Sequence, residues 1–135
     1  FEMKNIFKYL LIFFLYCSNT NSHHPGDAVE ISEPYPEIFI SIYEDSEDGY
    51  NIKIHMKNFK FTPEEISYSP RENEGYAVVY VNEIPIGRSY SEWFHIPYRF
   101  FNLKKNEIKV SIKNVNHQSL AANHKIISQK IIIEK

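Results

Sequence analysis

From Glu37 onward, apolar and polar positions alternate along the chain. Ile38, Ile40 and Ile42 take every second position and so share one face of a strand, because strand side chains switch sides at each residue. The acidic run Glu44-Asp45-Ser46-Glu47-Asp48-Gly49 interrupts the pattern, and its Asp48-Gly49 pair supplies the positive φ of a tight hairpin. A second strand follows, with Ile52, Ile54 and Met56 on one side and Lys53 and His55 on the other. Phe59 and Phe61 continue as an apolar pair until Thr62-Pro63 stops the segment. Residues 64–75, polar and holding Pro70 and Gly75, read as a loop.

Tyr76 to Val81 is the strongest strand signal, nearly all β-branched or aromatic. Asn82-Glu83 then predicts a turn into Ile84–Tyr90, a hairpin with the preceding strand. Trp93-Phe94-His95-Ile96-Pro97 carries the only tryptophan. Ile108, Val110 and Ile112 alternate with Lys109, Ser111 and Lys113 as a half-exposed strand, and Ile126 to Ile133 closes the domain. Ser119 to Lys125 has room for one helical turn, and no longer helical period is present. The pattern predicts an all-β fold, a single Ig-like antiparallel β-sandwich of about seven strands over residues 37–135. Residues 23–36 hold Pro25, Pro34 and Pro36 and read as an extended leader, not a packed element.

Residues 1–22 follow a different logic. Lys4 and Lys8 follow a start at Met3, an apolar run covers Tyr9 to Tyr16, and Ser18 to Ser22 is small and polar. That order is a secretory signal peptide, and its core is shorter than the roughly 20 residues that span a bilayer. Phe1 and Glu2 lie upstream of that start. Thr20 and Ser22 suit a cut before His23, whereas Cys17 offers a lipid anchor, with the large Tyr16 before it an awkward neighbour. Export is therefore expected, to the periplasm or outside, either free or as a membrane-anchored lipoprotein.

Composition narrows the function classes. The 135 residues suit one domain, and 43% hydrophobic with 24% charged is ordinary for a globular chain. Fifteen basic against seventeen acidic residues give a net charge of −2, which provides no basic field for nucleic acid. A single cysteine excludes a disulfide framework and any multi-cysteine metal site.

Six histidines remain as metal-ligand candidates: His23, His24, His55, His95, His117 and His124. No two have the spacing that sets two imidazoles on one strand or helix face, so a site has to assemble from separate elements. A cut before His23 would let its α-amine and imidazole chelate Cu(II) together; the plain alternative is a solvated leader. The acidic turn at 44–48 does not follow the calcium-loop pattern, and a solvated hairpin tip accounts for it. The chain contains no G-x-S-x-G and no H-E-x-x-H, and the adjacent Glu64-Glu65 would point to opposite strand faces. Nothing supports catalysis. Arg88, Tyr90 and Trp93 have the composition of a binding hot spot, while Trp93 and Phe94 equally suit a core corner between sheets.

Several segments taken together resemble a known group. Asp48-Gly-Tyr-Asn-Ile, Asn58-Phe-Lys-Phe-Thr-Pro-Glu and Gly75-Tyr-Ala-Val-Val-Tyr-Val-Asn82 are similar to segments of a group of uncharacterised exported bacterial β-sandwich proteins. Arg88-x-Tyr90-x-x-Trp93-Phe-His95 and Asn114-x-Asn116-His117 extend the likeness across most of residues 48–135. The group's pattern, G-H-x-H-x-Y-V-N-G with R-x-Y-x-x-W-[FY]-H, implies export, the sandwich fold and a histidine metal site. Here Tyr76 and Val78 replace the two strand histidines and Glu83 replaces the glycine, while His95 and His117 match. The expectation is an exported, non-catalytic binding or structural module without a cofactor, whose partner is a protein or small ligand. The alternative is a periplasmic copper-handling protein built on His95 and His117, joined by His23, His55 or His124.

Overall fold

The computed structural model describes residues 28–63 and 71–134. The predicted signal segment with Cys17, the histidines His23 and His24 of the predicted leader, and Glu64-Glu65 lie outside these. The described chain contains eleven strands: β1 (Ala28–Glu30), β2 (Glu37–Glu44), β3 (Tyr50–Lys57), β4 (Lys60–Phe61), β5 (Glu74–Val81), β6 (Ile84–Ser89), β7 (Trp93–Ile96), β8 (Lys105–Asn114), β9 (Ser119–Ala122), β10 (Lys125–Ile126) and β11 (Ser128–Glu134). The only helical element among them is a single 3₁₀ turn at Tyr98–Phe100.

Two sheets result. The larger has the path β1-β9-β8-β5-β4, with β6 on β5, β10 on β9 and β11 on β8; the smaller is β2-β3-β7. Their inner faces meet in one core. Ile52, Ile54 and Ile96 of the small sheet and Ala77, Val79, Ile108, Val110 and Ile112 of the large one are all fully buried, with Leu120 and Phe101 closing the ends. The alternation read from the sequence is the cause. Ile38, Ile40 and Ile42 face Met56, Ile54 and Ile52 across the β2–β3 ladder, so both strands present one apolar side to the opposite sheet.

The turns explain the registers. Gly49 has φ of 77° at the β2–β3 tip, and a Cβ there would run into the Ile96 carbonyl. Asn82 and Glu83 both have positive φ (51° and 67°), the pair of left-handed residues that a two-residue hairpin turn requires. Asn82 is further secured because its amide donates to Asn106 Oδ1 at 2.9 Å, and its own Oδ1 accepts from the Glu107 N–H at 2.9 Å.

Three readings change. Residues 28–36 are extended but packed: β1 runs parallel to β9, and Ile31 is buried in the core. The strands outnumber the predicted seven because short pieces find partners on sheet margins: β1 from the predicted leader, β4 where the second strand was expected to continue, and β9 and β10 from the predicted helical turn; two of these pairs, β1–β9 and β4–β5, are parallel. Ser119–Lys125 makes no helical turn. Asn123 and His124, at φ of 51° and 65°, close a hairpin between β9 and β10 instead. As the alternation predicts, the strand carrying Ile108 buries Ile108, Val110 and Ile112 and leaves Lys109 and Lys113 partly exposed, with β5 on one side of it and β9 and β11 on the other.

Candidate functional site

The small sheet has its own outer face, made by the residues that alternate with the core isoleucines. Phe39, Ser41 and Tyr43 come from β2, Asn51, Lys53, His55 and Lys57 from β3, and Trp93 and His95 from β7. The ladders set them in rows: Phe39 opposite His55, Ser41 and Trp93 on either side of Lys53, and Tyr43 and His95 on either side of Asn51. Phe39 is 48% exposed, and Tyr43 and Trp93 are each 52% exposed. The Tyr43 and Trp93 rings lean together across β3, with centroids 5.8 Å apart and planes inclined by 47°. Lys53 Nζ lies 5.5 Å from the indole centre and Lys57 Nζ lies 5.6 Å from that of Phe39. Trp93 is thus not a core corner; its neighbours Phe94 and Ile96 face inward and take that role.

A chain of polar contacts orients the imidazole on this face. The Asp45 carboxylate accepts from the N–H of Glu47 at 2.9 Å, from that of Asp48 at 3.1 Å and from the Asn51 amide at 2.9 Å. The backbone bond from Glu47 foremost, then the Asn51 amide, hold its pKa down to about 2. A carboxylate can only accept, so the Asn51 NH₂ must point at Asp45 and its carbonyl oxygen at His95, 2.8 Å from Nδ1. His95 Nδ1 therefore carries a proton, so in the neutral imidazole Nε2 is the acceptor. His55 Nε2 lies 3.2 Å from Ser41 Oγ in the neighbouring row. Lys53 is ion-paired with Glu92 at 3.8 Å and Lys57 stands opposite Glu37, so the face carries no excess positive charge.

Other predicted residues gather on the outer face of the large sheet. Tyr76 is only 2% exposed, and its hydroxyl is 2.8 Å from His117 Nδ1. Arg88 lies 5.1 Å above the Tyr76 ring, and the Tyr90 ring is 5.4 Å from it. His117 sits at φ of 64° in the β8–β9 turn, and Asn114 Oδ1 fixes that turn by accepting from the Asn116 and Gln118 N–H groups, each at 3.0 Å. Arg88 and Tyr90 do form a cluster, but with Tyr76 and His117, and Trp93 is not in it.

The histidines proposed as one metal site are consequently dispersed. His95 and His55 lie on the outer face of the small sheet, His117 on that of the large sheet, and His124 in the β9–β10 turn with its N–H on the Glu30 carboxylate at 3.1 Å. Among the described residues no group of three or more His, Cys, Asp or Glu is placed to hold a metal ion. The aromatic face was missed as a unit because its members come from three segments. Its only sequence signal was that Phe39, Tyr43, Lys53 and His55 occupy the polar phase of the alternation. The chain matches no family model, no curated protein and no solved structure among those compared with it.

Proposed function

We propose that this protein is an exported, non-catalytic binding module whose ligand surface is the outer face of the three-stranded sheet. One observation carries the reading. Among the described residues, three of the four exposed aromatic side chains (Phe39, Tyr43 and Trp93) share this face, interleaved with uncharged hydrogen-bonding groups. Exposed rings add little to folding, whereas aromatic area at the centre of a patch is the usual source of binding energy. Export is supported by the basic, apolar and small-polar order of residues 1–22. The resemblance to exported β-sandwich proteins supports it as well.

The sole tryptophan sits on the proposed face, so its emission reports occupancy directly. The full chain is titrated with a neutral polysaccharide, polyuridylate and phosphatidylglycerol vesicles. At least one should shift the Trp93 emission, and Trp93→Ala should unfold within about 0.5 kcal/mol of wild type. No shift with any probe, or a Trp93→Ala cost of about 3 kcal/mol as for a core aromatic, sinks the reading. Copper handling is tested on the same sample. Stoichiometric Cu(II) binding lost in a His95→Ala, His117→Ala double variant would replace the binding-module reading with the metal one.

A further inference from the structure

The ligand class can be read from the chemistry of that face, and the inference rests on its being the ligand surface. We propose that it takes an extended, uncharged saccharide chain, stacked on Trp93 and Tyr43 and running along β2 towards Phe39. Three features point there. An aromatic ring presents a negative face to the partly positive C–H groups on the flat side of a pyranose, and here two rings are half-exposed and paired at 5.8 Å. Around them on the same face stand Ser41, Asn51, His55 and His95, which mix donors and acceptors as a row of hydroxyls requires, with Lys53 in the row between Ser41 and Trp93. The Asp45–Asn51–His95 chain sets the last of these, leaving Nε2 to accept from a sugar hydroxyl.

Charge selects against the other polymers. Lys53 is paired with Glu92 and Lys57 stands opposite Glu37, so a polyphosphate backbone meets no net positive field. Lys53 can be lifted off the indole by an incoming ring, because an exposed cation–π contact is worth only about 0.5–1 kcal/mol. Length selects against a monosaccharide. Phe39 and Tyr43 are four residues apart on one strand, about 13 Å, further than one pyranose reaches.

The test is calorimetric and fluorescence titration of the full chain against a panel of neutral hexasaccharides: glucans, xylans, mannans, galactans and chito-oligosaccharides. At least one should bind and move the Trp93 emission. Tyr43→Ala and Trp93→Ala should each weaken it about tenfold or more, with Trp93→Phe retaining most of the affinity. Ile132→Ala, an exposed position on the far sheet, should leave affinity unchanged. Affinity should also be flat between about 50 and about 200 mM salt, where phosphate-driven binding falls steeply. If polyuridylate or the vesicles move Trp93 while every oligosaccharide fails, the saccharide assignment is overturned and the face remains a binding surface. If no probe moves it, both fall together. Saccharide binding that survives Tyr43→Ala and Trp93→Ala also overturns the proposal, since the sugar then sits elsewhere.

Discussion

The two sheets of this sandwich carry aromatic residues on both outer faces and treat them in opposite ways. On the large sheet Tyr76 is covered: Arg88 and Tyr90 lie against its ring, and its hydroxyl meets His117 at 2.8 Å. Tyr80 beside it sits under Lys109, whose Nζ is 4.5 Å from the ring centre and is itself held by Glu83 at 2.6 Å. Lys130 extends that network to Glu83 and Glu107, each at 3.6 Å. On the small sheet Phe39, Tyr43 and Trp93 are about half exposed, with two lysines beside them and no other cover among the described residues. Composition therefore does not separate the faces. What separates them is whether neighbouring strands extend the sheet far enough to bring long side chains over the rings. The three-stranded sheet, with β2 and β7 at its margins, supplies fewer such neighbours.

That contrast can be broken experimentally. The largest effect is expected from truncating a ring on each side. Tyr76→Ala should cost about 3–5 kcal/mol, the range for a buried aromatic, whereas Tyr43→Ala should stay within about 0.5 kcal/mol. Urea unfolding of both variants decides it, and equal costs would mean that the two faces are alike. Removing the cover alone should matter less. Lys109→Ala strips the cation from Tyr80 and the partner from Glu83, with an expected loss of about 1 kcal/mol in the same assay. Tyr76→Phe keeps the ring and deletes the hydroxyl that meets His117, for about 0.5–1.5 kcal/mol. A double-mutant cycle with His117→Ala should place most of that loss in the pair.

The smallest effects are in pH dependence. Glu83 is held at about 2, against an ordinary 4.5, chiefly by the hydrogen bond from Lys109. Its folded pKa lies below its unfolded one, so its contribution is complete above about 4.5 and lost as pH falls towards 2. Asp45, lowered from 3.8 to about 2, acts in the same direction beside the open face. Tyr98 behaves oppositely. The Glu44 hydrogen bond raises its pKa from 10.0 to about 12, so that contribution is full below 10 and disappears as the pH rises to 12. Urea midpoints against pH should show a shallower acid limb in Glu83→Gln and a shallower alkaline limb in Tyr98→Phe.

Much of the fold was legible along the chain. Period-two alternation at Ile38–Ile42, Ile52–Met56 and Ile108–Ile112 states which side chains share a face. Gly49 and Asn82 mark hairpin turns through a local backbone requirement. The parts that escaped depend on distant partners. Ile31 among prolines had no strand neighbour in sequence, and its burial follows from β9, ninety residues later, whose Ala121 carbonyl accepts its N–H at 3.0 Å. The polar Asn106 is fully buried because Asn82 and the Leu103 backbone satisfy its amide.

The same division holds for the candidate site. His95 and Trp93 were visible as residue types, and so were Arg88 and Tyr90. Alternation tells which residues lie on the same side of a strand, but not whether another element covers that side. Covering is decided by inter-strand register and by the reach of side chains from other strands, which are contacts across tens of residues. The amino-acid sequence by itself determined the longer strands, the turns at Gly49 and Asn82 and the apolar phase of those ladders. Only the tertiary structure decided that Tyr76 is sealed while Tyr43 and Trp93 stand open, because exposure is a property of neighbours in space.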